Sequence, residues 1–576
     1  MHVIARIWRL ARLAASGPGS RVGLVLFAIV LALELASIWI SLRLIAWSQD
    51  FFDALENYEA DRAVWQVGLF FALTTLSATR FLVADYLRKF LLIRWRTRLT
   101  DVAITGWLAN RSYWHLREGL SPQGLENPDQ RIAEDCRLFV SGLLNESLDL
   151  FTRIVGIFSY VALLWSLSTF ALSFTAFGLE FAIPRYLVWS SFLYVLISSF
   201  LTHMLGWPLK SLLFEQERRE ADFRYSLVQL RDNAAEVALS RGESAERHRF
   251  DTRFSAVVGN WRRLIGREFI VGLFTRPYFQ TVLRIPLFLS LPAYLAREVT
   301  LGGLMQLSSA FSNVTTTLSW FIFSYRDLAD FVATSERLDG LLKRLDRLEH
   351  MPDTPREIDW SAGTGDTLDI RDLTLFTPRG RALKTIRNLQ VRPGGRLWIS
   401  GPSGIGKTTL LRALAGLWPY GKGRIALPET PLYFASQTPY LVGEGLRNAL
   451  IYPEIEASCS DAEIVAALRD VGLEHRIVHL EEDDDVASLE GLSEGEKQRL
   501  VFARILLARP DWIVLDEPAS ALDRETETRM FALLGERLPG ATIVCVAHRP
   551  PSALAPFDTF VLGDDGNGGM EGAAPT

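Results

Sequence analysis

The stretch Gly401-Pro-Ser-Gly-Ile-Gly-Lys-Thr-Thr409 decides how the second half of this 576-residue chain is read. It follows a short apolar run with the character of a strand, Arg396-Leu-Trp-Ile-Ser400. It runs on into Leu410-Leu-Arg-Ala-Leu-Ala415, which has the character of a helix. A GxxxxGK[ST] spacing between strand and helix is that of a phosphate-binding loop. Gly401, Gly404 and Gly406 let backbone N–H groups wrap an anion without Cβ clashes. The helix start adds the positive end of its dipole. Lys407 then supplies a cation for the β and γ phosphates of a nucleotide, and Thr408 a hydroxyl for Mg²⁺. Pro402, Ser403, Ile405 and Thr409 complete the cradle.

Further along, a second apolar strand, Trp512-Ile-Val-Leu515, ends in Asp516-Glu517. An Asp there can hold the shell of Mg²⁺, and the adjacent Glu can orient or deprotonate an attacking water. Between the two lies Gly491-Leu-Ser-Glu-Gly-Glu-Lys-Gln-Arg499, with Ser493 and Gly495 at the start of a helix. Such a start is an anion site. Since the chain already has one phosphate loop, this second site suits the γ-phosphate of a nucleotide bound to another copy. Ser493 with Glu496 also has the spacing of a capping box, and both uses can hold at once.

These residues resemble the ATP-binding cassette (ABC) transporters. By that resemblance residues 401–408 are the Walker A loop, Gln437 is the Q-loop glutamine, and LSEGE at 492–496 is the signature. Ile513–Asp516 with Glu517 form Walker B, Ser520-Ala-Leu-Asp523 the D-loop, and His548 the switch. The ligands implied are ATP and Mg²⁺. Gln437 is implied to reach Mg²⁺ beside Thr408 and Asp516, Glu517 and His548 to act on the attacking water and the γ-phosphate, and Asp523 to act across a dimer. Phe376 is the candidate aromatic for the adenine. The signature departs from the common LSGGQ, with Glu494 in place of the first Gly and Glu496 in place of the Gln.

The upstream half has another character. Hydrophobic residues make up 49% of the whole chain and charged ones 22%, with mean hydropathy +0.15, which excludes a disordered chain and points to membrane spans. The net charge of −5 gives no basic footprint for nucleic acid, and three cysteines cannot build a disulfide scaffold. Six runs approach the length of a span: 22–47, 63–83, 148–168, 186–205, 269–295 and 301–323. The fifth is interrupted by Arg276, Pro277, Arg284, Pro286 and Pro292. The connection from Asp50 to Asp61 holds five acidic residues and no basic one, whereas Arg88–Arg98 holds five basic and no acidic one. The positive-inside rule therefore puts the N-terminus and the long even connections, roughly 84–147 and 206–268, in the cytoplasm. An even span count returns the nucleotide-binding part there too.

The expected organisation is an N-terminal segment over 1–20, a six-span α-helical membrane domain over 21–340 and a linker over 341–366. An α/β P-loop cassette over 367–562 and a disordered tail over 563–576 follow. Residues 2–15 suit either an amphipathic helix in the membrane interface or a frayed terminus. Tyr113-Trp114 followed by Glu126-Asn-Pro-Asp-Gln-Arg-Ile132 and Asp135 resembles the loop motif of subfamily D ABC proteins and the SbmA/BacA-like group. That likeness implies a type IV, exporter-like membrane fold and a role in coupling cassette to channel. Arg131 and Asp135, one turn apart, suit a local ion pair. Glu34, deep in the first span, calls for a polar cavity or for a partner such as Arg80, Arg276 or Arg284.

The functional expectation is a homodimeric, ATP-driven transporter in a bacterial inner membrane. The resemblance implies uptake of hydrophilic compounds such as peptides or cobalamin-like molecules. The alternatives are an exporter of lipid, acyl-CoA-like or drug substrates, and a membrane-tethered ATPase sensor.

Overall fold

The computed structural model describes residues 2–117, 125, 127–176, 179–282, 284–349, 358–362, 365–437, 439–441, 445–454, 459–480, 489, 491–562 and 570–571. Contacts divide the chain into two units. One comprises Met1–Trp107 with Asn127–Leu345, the other Leu108–Glu126 with Asp346–Thr576.

The first unit is helical. After α1 (His2–Ala15) come the long helices α2 (Ser20–Glu56) and α3 (Ala60–Leu108), then the short α4 (Ser112–His115) and α5 (Pro128–Gln130), of which α4 groups with the second unit. Next are α6 (Cys136–Leu167), α7 (Tyr186–Asp232), α8 (Ala234–Leu239), α9 (Glu243–Val282), α10 (Ile285–Leu295), α11 (Leu301–Phe323) and α12 (Tyr325–Glu349). At 1.5 Å per residue α2 alone is about 55 Å long, more than a hydrocarbon core needs. Among the described residues, four helical stretches are long and apolar enough to cross a membrane: those starting at Ser20, Ala60, Pro128 and Tyr186.

The fifth and sixth expected spans fold differently from a plain apolar rod. The fifth is broken into α9 and α10, with Pro277 inside α9 and Pro286 in the first turn of α10. The sixth, α11, carries many hydroxyl and amide side chains, which lowers its apolarity. Thr315 and Ser319 return their hydroxyls to the carbonyls of Phe311 and Thr315 (3.0 and 2.7 Å). Ala310, Phe311 and Val314 of α11 form a core with Ile38 and Ile45 of α2, Tyr160 and Leu164 of α6, and Leu187 and Val188 of α7. Gly302 permits that approach, since a Cβ there would collide with the Gln49 carbonyl oxygen. The acidic connection has a second use that its charge count does not suggest. Asp53 and Glu56 accept the N–H groups of Gly302 and Leu301 (3.0 and 2.9 Å), capping the start of α11.

Glu34 takes Arg80 as its partner (3.1 Å), and Arg80 also donates to Leu33 O. Residues 131–135 form a π-helical turn, which changes the side-chain phase that a regular helix would give. Asp135 accepts two bonds from Arg337 (2.7 and 2.9 Å), in place of the expected pairing with Arg131, while Arg131 donates to the Arg337 carbonyl. Helix α1 buries Leu10 and Ala14 while Ile4 and Trp8 stay exposed, and Arg6, Arg9 and Lys343 converge on the buried Asp339 of α12. An antiparallel pair, β1 (Ala171–Ala176) and β2 (Leu179–Pro184), joins α6 to α7.

The second unit holds two sheets. The smaller has the order β3-β7-β4-β5, built from β3 (Ile358–Ala362), β4 (Leu368–Phe376), β5 (Ala382–Val391) and β7 (Gly421–Leu427). The larger has the order β12-β11-β6-β10-β9-β8. Its strands are β6 (Arg396–Ser400), β8 (Leu432–Ala435), β9 (Trp512–Asp516), β10 (Thr542–Val546), β11 (Asp558–Val561) and β12 (Met570–Glu571). All its pairings are parallel except β11 with β12. The helices are α13 (Lys407–Leu414), α14 (Leu446–Ile451), α15 (Asp461–Asp470), α16 (Glu494–Ala508) and α17 (Arg524–Arg537).

Three boundaries are corrected. The expected linker 341–366 is helical to Glu349 and re-enters as β3, paired in parallel with β7. Ile358 is fully buried there and Trp360 donates to Ala413 O (3.0 Å). Leu108–Glu126, assigned to the membrane domain, groups with the cassette. Most of the expected tail lies outside the described residues, but Met570–Glu571 pairs with β11.

Candidate functional site

The larger sheet sets the site. β10 lies between β6 and β9, with Val546 opposite Ile399 on one side and Asp516 on the other. The carboxyl ends of these three strands therefore present the 401–406 loop, Asp516-Glu517 and the segment leading to His548 at one end of the sheet, where α/β folds bind ligands.

The loop turns through left-handed conformations at Gly404 (φ 78°) and Gly406 (φ 110°), the latter being the N-cap of α13. No side chain caps α13, so its first N–H groups are left for an anion. Lys407, largely buried, donates to Gly401 O (2.7 Å) and Pro402 O (3.2 Å), which holds its ammonium over the loop. Thr408 Oγ1 stands 3.4 Å from Asp516 Oδ1. Burial pushes the Asp516 carboxyl up, and the nearby Glu517 adds to this against the Thr408 hydrogen bond. A desolvated carboxylate beside a hydroxyl is an oxygen donor set that fits Mg²⁺.

Glu517 adopts φ 48°, unusual for a non-glycine residue, and its N–H donates to Val546 O at 2.8 Å. That turn aims its carboxylate at Gln437 Nε2 (3.1 Å) and His548 Nε2 (3.6 Å). Gln437, Glu517 and His548, far apart in sequence, thus meet beside Thr408 and Asp516. Phe376 ends β4, where it pairs with Ala382. The next residue, Leu383, packs against Gly406, and the Phe376 carbonyl accepts from Trp418 Nε1 (2.9 Å).

The segment 491–499 forms a second group. Ser493 caps α16 through a full capping box: Glu496 N–H donates to Ser493 Oγ (3.2 Å), and Ser493 N–H donates to Glu496 Oε2 (2.9 Å). Burial alone would push the Glu496 carboxyl up. The Ser493 N–H, His475, the Ser493 hydroxyl and Arg476 outweigh it and hold the group at about 2. Gly495 packs against the D-loop, where an added Cβ would come within 3.3 Å of Ala521 O. Gln498, almost fully buried, ties the same two elements by donating to Ser520 Oγ (3.0 Å) and accepting from Ala521 N–H (2.9 Å). The motif reading passed over Gln498, although its helical phase with Gly495 puts both on one face. Asp523 caps α17, accepting from the N–H groups of Glu525 (3.0 Å) and Thr526 (2.9 Å).

A third feature lies at the far end of α13. Trp114 Nε1 donates to Leu417 O (2.8 Å) and Arg111 donates to Ala415 O. The guanidinium groups of Arg412 and Arg117 lie over the Trp114 ring at 5.5 and 5.7 Å.

A helical membrane unit joined to a P-loop cassette carrying these motifs defines an ATPase-coupled membrane transporter, and the chain belongs to the ABC transporter family. The family profile for ABC transporter transmembrane region 2 matches residues 11–295, and that for the ABC transporter cassette matches residues 385–520. One chain therefore carries one membrane region and one cassette, as a half-transporter does. It is 34% identical over 532 residues to the inner membrane ABC transporter ATP-binding protein YddA of Escherichia coli K12, covering 92% of each chain. It is 28% identical over 550 residues to the mouse (Mus musculus) lysosomal cobalamin transporter ABCD4, covering 87% of this chain and 86% of that one. In fold it matches a bacterial Atm1-family ABC exporter solved with ATP bound (TM-score 0.70, 18% identity, covering 95% and 94% of the two chains).

Proposed function

We propose that the chain works as a homodimer in a bacterial inner membrane and imports hydrophilic compounds of the peptide or cobalamin class. The observation that carries this reading is the likeness, over nearly the whole length, to a relative named as a cobalamin transporter. Glu34 of α2 and Arg80 of α3 keep a charged pair (3.1 Å) within the membrane unit, which supports a polar path rather than an oily one. The inner-membrane placement follows the name of the Escherichia coli relative.

In this reading each ATP lies between the 401–409 loop of one copy and Ser493, Gly495 and Glu496 of the other. Lys407 and the α13 start bind the phosphates, and Phe376 stacks near the adenine. Thr408, Asp516 and Gln437 hold Mg²⁺, which when bound neutralises charge on the phosphates. Glu517, aimed by its own backbone turn, takes the proton of the attacking water. His548 lies against the γ-phosphate, and Asp523 acts across the dimer. The segment around Trp114, anchored at the end of α13, couples nucleotide state to the membrane unit.

The test uses proteoliposomes with cassettes facing out, preloaded with labelled peptide or cobalamin. ATP added outside drains the lumen if the protein is an importer. Accumulation from outside overturns the direction and moves the substrate class toward lipid-like cargo. ATPase activity with no flux of any of these points to the sensor.

A further inference from the structure

The start of α16 carries two carboxylates where the proposed reading brings in a phosphate, and each has a cation beside it. Glu494 pairs with Lys497 at 2.6 Å. Glu496 is more withdrawn, with 14% of its side chain exposed. Its Oε2 accepts from the N–H and the hydroxyl of Ser493, both at 2.9 Å. Its Oε1 faces His475 Nε2 at 2.9 Å and Arg476 Nε at 3.6 Å.

His475 and Arg476 belong to a short helical turn, Glu474–Leu480, outside the signature segment. Arg476 is 13% exposed and also donates to Gly491 O (3.4 Å), so this turn touches the segment both at its opening glycine and at Glu496. Arg476 Nε makes no hydrogen bond among the described residues, so its pull on Glu496 is one of charge. Arg476 carries a permanent charge, and His475 adds a hydrogen bond and, when protonated, a second charge.

We propose that His475 and Arg476 are positioning residues for the phosphate site at the α16 start. They offset the Glu496 charge, so that Ser493 and Gly495 can receive an anion from the other copy. This rests on the reading of Ser493 given above. An uncompensated carboxylate in the first turn holds the favourable end of the helix dipole against a second anion. Compensated, it keeps the capping box that orders Ser493 without repelling the ligand. A neutral amide at position 496 needs no such partners, so the effect of losing His475 depends on Glu496.

The experiment measures KM for ATP and kcat of the full-length protein in lipid nanodiscs for five forms: wild type, His475→Ala, His475→Lys, Glu496→Gln and the double variant His475→Ala/Glu496→Gln. His475 is exposed, so its replacement leaves the fold intact. His475→Ala raises KM about two- to fivefold with kcat held within about twofold, the range of a half-exposed ionic contact. His475→Lys, which keeps a cation, returns KM to the wild-type value. In the Glu496→Gln background the alanine change moves KM by less than about 1.5-fold. An equal rise in both backgrounds, no rescue by lysine, or no rise at all overturns the proposal. Ser493→Arg, which blocks the helix start whatever the surrounding charges, tests the underlying reading separately. Wild-type turnover there sinks the trans phosphate site itself. Lost turnover there together with an unchanged His475→Ala sinks only the charge compensation.

Discussion

The cassette has two helix starts facing the nucleotide chemistry, and they are built in opposite ways. Helix α13 begins on a glycine in a left-handed turn, has no side-chain cap, and keeps the cation of its first turn, Lys407, tied to loop carbonyls. Helix α16 begins on a serine whose capping box takes up the Glu496 N–H and the serine's own N–H, with two carboxylates in the first turn. The first is an anion receptor with its donors left open. The second is ordered before any ligand arrives and carries charge of the wrong sign until neighbours offset it. The difference teaches that the two ends of one proposed ATP site have separate tasks. In that proposal the α13 end supplies most of the binding strength, and the α16 end adds a pre-ordered surface that completes the phosphate contacts.

The changes that test this contrast fall in order of size. Glu517→Gln, at the α13 end, keeps ATP binding but lowers turnover about 100-fold or more. Wild-type turnover in a steady-state ATPase assay would remove Glu517 from its assigned role. Lys407→Ala weakens ATP binding about 10- to 100-fold, the effect of losing a charge-assisted contact. Unchanged affinity by nucleotide titration would mean that the open N–H groups suffice alone. Ser493→Ala deletes a cap at the α16 end, costing about 1 kcal/mol of cassette stability, while ATP affinity of the α13 end stays as it was. A fall in that affinity equal to the Lys407 effect would erase the contrast between the two starts. The smallest effect is remote from both. Asp366 accepts from Thr430 N–H (3.1 Å) and Trp512 Nε1 (3.2 Å), and the Thr430 bond, with Trp512 next, holds its carboxyl below the usual range. A lowered folded value gives stability that is present above the ordinary carboxylate range and lost as pH falls through the folded value. Thermal melts of Asp366→Asn should therefore lose part of the wild type's acid sensitivity below about pH 4. Identical acid profiles would show that these bonds do not contribute.

The cassette chemistry was legible because each motif is contiguous and lies at the end of a strand or the start of a helix. What sequence could not show was how those pieces face one another. The φ of Glu517, which turns its carboxylate to Gln437 and His548, is a backbone property. The bridge from Gln498 to Ser520 and Ala521 links residues more than 20 positions apart. In the membrane half the helices stood out by apolar length, and α11 did so although it carries polar side chains, several of which return their hydroxyls to its own carbonyls. Composition misled most at 341–366. Proline, glycine and charge there mask Ile358 and Trp360, whose alternation is that of a strand with one buried face. The acidic connection was read for topology, and its capping of α11 escaped because cap and helix are some 250 residues apart.

The anchoring of Trp114 bears on how the cassette can be handled apart from the membrane. A fragment cut from residue 346 onward would lack Leu108–Glu126, which belongs to the same compact unit. It would leave the carbonyls of Ala415 and Leu417 and the face of Arg412 uncovered. Such a fragment should be stickier and less stable than the intact unit, and a peptide of residues 108–126 supplied in trans should restore it.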